Sequence, residues 1–200
     1  MTMTIDEELL FSSGAEVTDF PLNEIIFTEG ELPRYYFQIR SGTVKVCNYH
    51  EDGREIIHSV PFDGHCLGES FLFTDKVYPV NAVAITECQI LRLEKNKFLK
   101  MIQNHHHLLY NLQTYTAERM YFRYVMMNSL SSYDPRAKIK KVMDCLKSYN
   151  QYTLKYSYQF PFTRQQLASL TGLCVETVVR AIKKMEQEKI VRIENGKIFY

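Results

Sequence analysis

Short apolar and polar stretches alternate through the first half of the chain and are separated by turn residues. Gly30, Gly42, Gly53 and Gly64 follow one another at intervals of 11 or 12 residues. Many short strands at such a spacing are typical of an antiparallel sandwich or a jelly-roll barrel. An SH3-like barrel or a lectin-like module would give a similar pattern. The predicted strands lie at residues 24–27, 36–40, 43–48, 55–60, 80–86 and 89–93.

The spacing of apolar residues changes to a helical period from about Lys95, which predicts a short helix over 96–104 and a long one over 105–130. The long helix would measure about 38 Å at 1.5 Å per residue and would extend beyond a small barrel. We therefore expect it to pack against its copy in a homodimer. The alternative is that it lies along its own barrel. The expected dimer face consists of Leu108, Leu112, Tyr115, Arg119, Phe122 and Met126.

The segment after the long helix contains a helix break followed by a new start. Asp134 can act as an N-cap, and Pro135 suits the first helical position. These residues predict an amphipathic helix over 136–149, whose polar side chains are mostly basic. We expect this segment to be the hinge and the first element of a C-terminal domain.

Apolar spacing near the C-terminus predicts two short helices joined at Gly172 and followed by two strands. Thr163 can cap the first helix, and glycine suits the tight turn between the helices. The Asn195-Gly196 pair is a hairpin signal between the strands. This order predicts a helix-turn-helix with a β wing. The alternative is an ordinary two-helix corner with a solvated polar face.

The second of these helices has one apolar face and one polar face. Val178, Ile182 and Met185 recur at a helical spacing and are expected to face the core. The remaining surface carries Glu, Thr, Arg and Lys side chains. Such a face is suited to the major groove of DNA.

The distribution of charge strengthens this interpretation. The whole chain is nearly neutral, with 24 Lys and Arg against 23 Asp and Glu. Residues 1–134 hold 11 basic and 18 acidic side chains, a net charge of −7, whereas residues 135–200 hold 13 and 5, a net charge of +8. A basic segment with a helix-turn-helix pattern meets the requirements of phosphate contact, whereas the acidic segment would be repelled by DNA.

Several classes of protein are not supported by the sequence. It lacks a run of about 18 apolar residues, and its acidic N-terminus lacks the basic region of a signal peptide, so we expect a cytoplasmic protein with no membrane partner. Five widely spaced cysteines without a CxxC pair indicate reduced thiols. Because no G-x-S-x-G, HExxH, P-loop or dinucleotide motif is present, we expect no enzyme activity, no cofactor and no metal.

Three motifs and the order of elements resemble the Crp/Fnr family of bacterial transcription regulators. Residues 162–191, FTRQQLASLTGLCVETVVRAIKKMEQEKIV, are similar to its helix-turn-helix, in which T-R-x-x-[IL]-A precedes E-T-V-x-R. GHCLGES at 64–70 and YFQIRSGTVKV at 36–46 resemble segments of its cyclic-nucleotide-binding barrel. The resemblance covers nearly the whole chain. It implies an α+β fold with an N-terminal antiparallel β jelly-roll barrel (1–104), a long dimerisation helix and hinge (105–134), and a C-terminal winged helix-turn-helix (135–200).

The resemblance implies a homodimeric, sequence-specific DNA-binding regulator whose partners are a pseudo-palindromic operator in double-stranded DNA, its own copy and RNA polymerase. In this arrangement Glu176 could accept from cytosine N4, and Arg180 could donate to guanine O6 and N7. Val175 and Val179 could meet thymine methyl groups; the alternative is that they pack against the wing. The expected DNA-contact residues are Thr163, Arg164, Gln165, Val175, Glu176, Thr177, Val179, Arg180 and Lys183.

The barrel departs from the pattern of family members that bind cyclic AMP. Those members carry an Arg-Ser or Arg-Thr pair about ten residues after the Gly-Glu segment, and the Arg neutralises the cyclic phosphate. Here residues 78–82 read Tyr-Pro-Val-Asn-Ala. Because a buried phosphate without a cation is unfavourable, we expect no binding of cyclic AMP and leave the effector unknown. The effector-pocket candidates are Gly68, Glu69, Ser70, Pro79, Val80, Phe122 and Arg123.

Four alternatives remain open at the level of sequence. One is a cyclic-nucleotide receptor whose phosphate partner is Lys76 or Arg123. A second is a redox sensor that uses Cys174, at the N-cap of the second helix of the helix-turn-helix, where a thiol pKa is lowered. A third is a haem-sensing member with a ligand among His50, His58 and His65. The fourth is a protein–protein module with a vestigial helix-turn-helix.

Overall fold

The computed structural model describes residues 4–53, 55–149 and 152–200. The chain divides into two compact units, one that ends at Ala117 and one that spans Glu118–Tyr200. The boundary between them lies within the long helix. The domain limits 1–104, 105–134 and 135–200 stay a prediction.

The first unit contains strands, short helices and the start of the long helix. In chain order its elements are α1 (Glu7–Ser12), β1 (Glu16–Phe20), β2 (Ile25–Phe27), β3 (Tyr35–Ser41), β4 (Val44–Tyr49), β5 (Glu55–Ser59), β6 (Cys66–Leu67), a 3-10 helix (Glu69–Phe73), β7 (Asn81–Ala84), β8 (Cys88–Glu94), α2 (Lys95–Asn104) and the first part of α3 (His106–Leu130).

Two antiparallel sheets make up the barrel within the described residues. Their strand orders are β1-β8-β3-β6 and β2-β7-β4-β5. Alternate residues of the strands face the core, as Val44 and Val46 do on either side of Lys45. Both sheets supply side chains to one apolar cluster, which includes Phe37 and Ile90 from the first sheet and Phe27 and Ala82 from the second. The predicted antiparallel barrel of an α+β fold is confirmed.

Strands β1 and β6 were not predicted from the sequence. Strand β1, EVTDF, places only Phe20 in the core, so its periodicity is weak. Strand β6 is two residues long, which is too short for a periodic signal. Both are held by pairing with longer strands: β1 pairs with β8, and β6 pairs with β3. Such strands are defined by their neighbours rather than by their own sequence.

A second apolar cluster lies between the barrel and the helices of the first unit. It includes Ile5 and Leu10 from the N-terminal arm, together with Leu108, Leu112 and Tyr115 from α3. The expectation that these three residues of α3 form a dimer face therefore needs correction, because they are buried within a single chain. Along residues 108–115 the helix lies against its own barrel, which was the alternative. Met126 is also buried, whereas Arg119 and Phe122 are half-buried.

The second unit contains the rest of α3, then α4 (Pro135–Tyr149), β9 (Gln159–Phe160), α5 (Arg164–Thr171), α6 (Val175–Gln187), β10 (Arg192–Glu194) and β11 (Lys197–Phe199). Helices α5 and α6 form the predicted helix-turn-helix, and β10 and β11 form the wing. Strand β9 was not predicted; it pairs with β11 and extends the wing to three strands.

Two further observations concern the described ranges as a whole. None of the helices there is long and apolar enough to cross a membrane. The same ranges hold no group of three or more His, Cys, Asp or Glu side chains that could bind a metal ion.

Candidate nucleic-acid interface

The first helix of the helix-turn-helix begins at a reciprocal cap. The Gln166 backbone N–H donates to Thr163 Oγ1 at 3.1 Å, and the Thr163 N–H donates to Gln166 Oε1 at 2.9 Å. This capping box satisfies backbone donors that would otherwise lack a partner at the helix start. Thr163 and Gln165 remain exposed there. The sequence predicted the role of Thr163 as a cap but not that of Gln166.

The turn between α5 and α6 depends on the left-handed conformation of Gly172. Its φ is +67°, and its N–H donates to the Ala168 carbonyl at the end of α5. A residue with a Cβ atom would be strained at this φ, although the space around the glycine is open. This confirms the reason given for glycine at the turn and sets the direction in which α6 leaves it.

The second helix, α6, has the two faces that its sequence predicted. Val178, Ile182 and Met185 are buried, and Ala181 joins them. The opposite face carries Glu176, Arg180 and Lys183, which are exposed. Val175, Thr177 and Val179 lie at the border of the two faces and are half-buried. The packed face fixes the helix, and the charged face is left available to a polyanion.

Cys174 precedes α6 as its N-cap residue. The exposed Cys174 Sγ lies 2.9 Å from Thr177 Oγ1. Hydrogen bonding from the Thr177 side chain, and then from its backbone, lowers the pKa of the Cys174 thiol. Thr177 was a candidate for DNA contact, and its hydroxyl here is already engaged with the cap.

The wing is tied to the start of α5. Asn195 and Gly196 have φ values of 48° and 78°, the conformation of a tight two-residue hairpin turn. The Arg164 guanidinium donates through Nη1 to the Gly196 carbonyl. Arg164 was predicted to meet phosphate, whereas in the structure it joins the wing turn to α5. The sequence offered no signal for this contact because the partners are 32 residues apart.

Helix α4 contacts the ends of both helices of the motif. Arg136 Nη1 lies 2.5 Å from Glu188 Oε1, next to the last turn of α6. Lys138 Nζ donates to the Thr171 carbonyl at 3.5 Å, at the last residue of α5. Because cations are favourable near helix C-termini, these contacts hold the motif against α4. They were not predicted from the sequence.

The structure brings together only some of the effector-pocket candidates. Gly68, Glu69 and Ser70 form one turn at the start of the 3-10 helix, where Glu69 is completely buried and the Ser70 hydroxyl donates to Glu69 Oε1 at 3.1 Å. Val80 packs partly against the barrel core, whereas Pro79 is exposed. Phe122 and Arg123 lie on α3, in the second compact unit.

Asn81 lies in the stretch where the cyclic-AMP-binding pattern has its Arg and Ser or Thr. It is buried, and its Oδ1 accepts from the Glu29 N–H at 3.0 Å while its Nδ2 donates to the Cys47 carbonyl at 3.3 Å. Both contacts are to backbone groups of the barrel itself. Asn81 therefore holds neighbouring strands together and provides no positive charge for a phosphate.

Two family models match the chain. Residues 17–105 match a cyclic nucleotide-binding domain, and residues 142–199 match a Crp-like helix-turn-helix domain. Among curated proteins, the chain is similar to the cAMP-activated global transcriptional regulator CRP of Salmonella typhimurium, with 26% identity over 90% of this chain and 87% of that protein. It is also 25% identical to the cyclic AMP receptor protein of Thermus thermophilus, over 90% of this chain and 81% of that protein.

Solved structures show the same fold. The c-di-GMP-responsive global regulator CLP of Xanthomonas campestris superposes with a TM-score of 0.78 at 19% identity, covering 97% of this chain and 98% of that one. FixK2 of Bradyrhizobium japonicum superposes with a TM-score of 0.75 at 20% identity, covering 92% and 91%. At this level of sequence identity the similarity establishes the fold alone. It does not show that this chain binds the ligands of those proteins.

Proposed function

The chain belongs to the Crp/Fnr family of DNA-binding transcription regulators, and we propose that it works as a homodimer that reads a pseudo-palindromic operator through α6. The observation that carries the proposal is the pair of faces on α6. A packed face of Val178, Ile182 and Met185 holds the helix, while Glu176 and Arg180 lie on its exposed side. This helix belongs to a segment, 135–200, with a net charge of +8.

We propose a division of roles among the exposed side chains. Arg180 would donate to guanine O6 and N7, and Glu176 would accept from cytosine N4, so these two would determine sequence preference. Lys183 and the exposed residues at the start of α5, Thr163 and Gln165, would contact phosphates and set the register. Val175 and Val179 would meet thymine methyl groups with the part of their surface that stays exposed.

The homodimer is supported by an apolar face of α3 other than the one expected from the sequence. Met120, Tyr121, Tyr124 and Met127 recur at a helical spacing, and each is more than half exposed in the single chain. Exposed apolar surface of this kind marks an interaction site, and a copy of the same helix would cover it symmetrically. A dimer would present two copies of α6 to half-sites about one helical turn, roughly 34 Å, apart.

The barrel is the sensor domain of the regulator, and we propose that it does not bind cyclic AMP. The curated relatives are described as cAMP-activated, but Asn81 lies where a phosphate-binding pair would be needed. We further propose that the protein is a cytoplasmic regulator without enzyme activity that acts on RNA polymerase. A cyclic-nucleotide receptor with an unorthodox phosphate partner is the alternative, and calorimetry with cyclic AMP and cyclic GMP separates the two.

Base recognition by α6 is tested by selecting a DNA site with the full chain and then measuring its affinity for an Arg180→Ala variant. We expect binding to weaken by about 1–3 kcal/mol and the preference for guanine at one position of each half-site to be lost. The matched control is Arg34→Ala, since Arg34 is an exposed arginine of the barrel. Equal losses for both variants would show that α6 does not read bases.

A further inference from the structure

The side chain of Tyr78 fills part of the barrel interior. Its ring stacks on Phe27, with centroids 3.9 Å apart and planes 15° from parallel, and meets Phe71 edge-on at 5.9 Å. It is 2% exposed and belongs to the apolar cluster that both sheets share. An aromatic ring at this place adds a large apolar area to the core.

Gly68 leaves the space that the Tyr78 ring occupies. A Cβ atom on Gly68 would lie 2.8 Å from Tyr78 Cε1, closer than side chains tolerate. The backbone of Tyr78 is held as well: its N–H donates to the Glu31 carbonyl at 2.8 Å, and its carbonyl accepts from Gly30 at 2.9 Å. The ring is therefore fixed against the turn that begins with Gly68 and Glu69, and it lies among the effector-pocket candidates.

The charges around this ring disfavour an anionic ligand. Glu69 is completely buried, and no Lys or Arg is buried anywhere in the described part of the chain. The barrel cations Arg40, Lys45 and Arg92 each lie within 4 Å of a carboxylate. Burial first, and then nearby carboxylates, raise the pKa of the Tyr78 hydroxyl, so the phenol stays neutral. Within the described residues, a phosphate beside the Tyr78 ring would therefore find no buried Lys or Arg as a partner.

The Tyr78 hydroxyl is buried and has no hydrogen-bond partner among the described residues. Burying a polar group without a hydrogen-bond partner is unfavourable. The apolar packing of the ring must offset the cost of burying the hydroxyl. This indicates that the ring, and not the hydroxyl, is the part of Tyr78 that stabilises the barrel.

We propose that Tyr78 is a built-in substitute for an effector: its ring fills the sensor barrel and keeps the regulator in its DNA-binding form without a small molecule. The inference rests on the proposed DNA-binding function. The proposal explains why Gly68 is present although the chain lacks the Arg-Ser or Arg-Thr pair that would bind a phosphate. The glycine makes room for the Tyr78 ring. Two variants of Tyr78, together with added small molecules, separate the roles of the ring, the hydroxyl and a bound ligand.

The experiment measures operator affinity of the full-length protein by fluorescence anisotropy, with and without cyclic AMP or cyclic GMP, after native mass spectrometry of the purified protein. We expect the mass of the unliganded chain and an affinity that neither nucleotide changes. Tyr78→Phe should keep this affinity and raise the melting temperature. Tyr78→Ala should bind about tenfold more weakly, as for a competent fraction of about one tenth, and 4-methylphenol should restore binding by filling the cavity.

Five results would overturn the inference. A purified protein that carries a small molecule, or operator binding that appears only with an added nucleotide, would contradict it while DNA binding itself stands. A loss of affinity in Tyr78→Phe equal to that in Tyr78→Ala would show that the hydroxyl acts on a ligand. Unchanged affinity in a folded Tyr78→Ala would show that the ring is not needed. Failure of the wild type to bind any DNA under all conditions would remove the proposed function as well.

Discussion

Single residues of the helix-turn-helix combine a structural role with a proposed role in DNA binding. Thr163 caps α5 while its side chain remains exposed beside the first turn. Arg164 uses one of its N–H donors in a hydrogen bond to the Gly196 carbonyl of the wing. Because a guanidinium has five donors, this contact orients Arg164 and leaves other donors available to a phosphate. Cys174 and Thr177 are linked in the same way at the start of α6. The side chains that would contact DNA are thus already held in place by contacts within the free protein.

The two partly accessible cysteines of the second unit should differ in their pH dependence. Hydrogen bonding from Thr177 lowers the pKa of Cys174, so its thiolate forms at lower pH than that of an ordinary thiol. Burial raises the pKa of Cys145, whose thiolate forms only at higher pH. Alkylation followed by peptide mass spectrometry across pH should therefore show Cys174 reacting first as pH rises. Thr177→Val should move the Cys174 profile to higher pH; an unchanged profile would contradict this cause.

Local signals allowed several of these residues to be predicted from the sequence. The cap at Thr163, the turn at Gly172 and the Asn195-Gly196 hairpin each follow from a few neighbouring residues. The contacts of Arg164 and Tyr78 could not be predicted, because their partners come from distant parts of the chain.

Helix α3 shows why the pattern of an element can be recognised correctly and its partner assigned wrongly. The stripe through Leu108, Leu112 and Tyr115 is apolar at a helical spacing, and the structure does bury it. The apolar periodicity of a helix predicts that one face is buried, but it does not identify the surface that buries that face. Here that surface is the barrel of the same chain. The exposed face through Tyr121 and Tyr124 was not predicted from the sequence.

Substitutions on the two faces of α3 should separate dimerisation from folding. A double change of Tyr121→Glu and Tyr124→Glu places charges on the exposed face, so we expect monomers that stay folded and bind the operator poorly. Leu112→Ala removes a buried side chain and should lower stability by about 2–5 kcal/mol without acting on the dimer face. Analytical ultracentrifugation and thermal unfolding measure both effects. A folded dimer in the glutamate variant would place the interface elsewhere.

At the scale of the whole molecule, charge divides along the sequence as function does. Residues 1–134 carry a net charge of −7, and residues 135–200 carry +8. The cyclic nucleotide-binding domain model matches within the first segment, and the Crp-like helix-turn-helix model matches within the second. The sequence could therefore identify the class of regulator, because charge, motif order and spacing all agree. It could not decide how the barrel interior is filled, since that depends on the packing of Phe27, Gly68 and Tyr78.

The most direct test of sequence-specific binding is a fluorescence-anisotropy titration of the intact protein with its selected operator and a scrambled duplex over a series of salt concentrations. We expect the operator to bind at least about 10³-fold more tightly than the scrambled duplex. The logarithm of the association constant should fall linearly with the logarithm of salt, by about 0.9 per neutralised phosphate. Equal affinity for the two duplexes, or no binding at the lowest salt, would contradict the account.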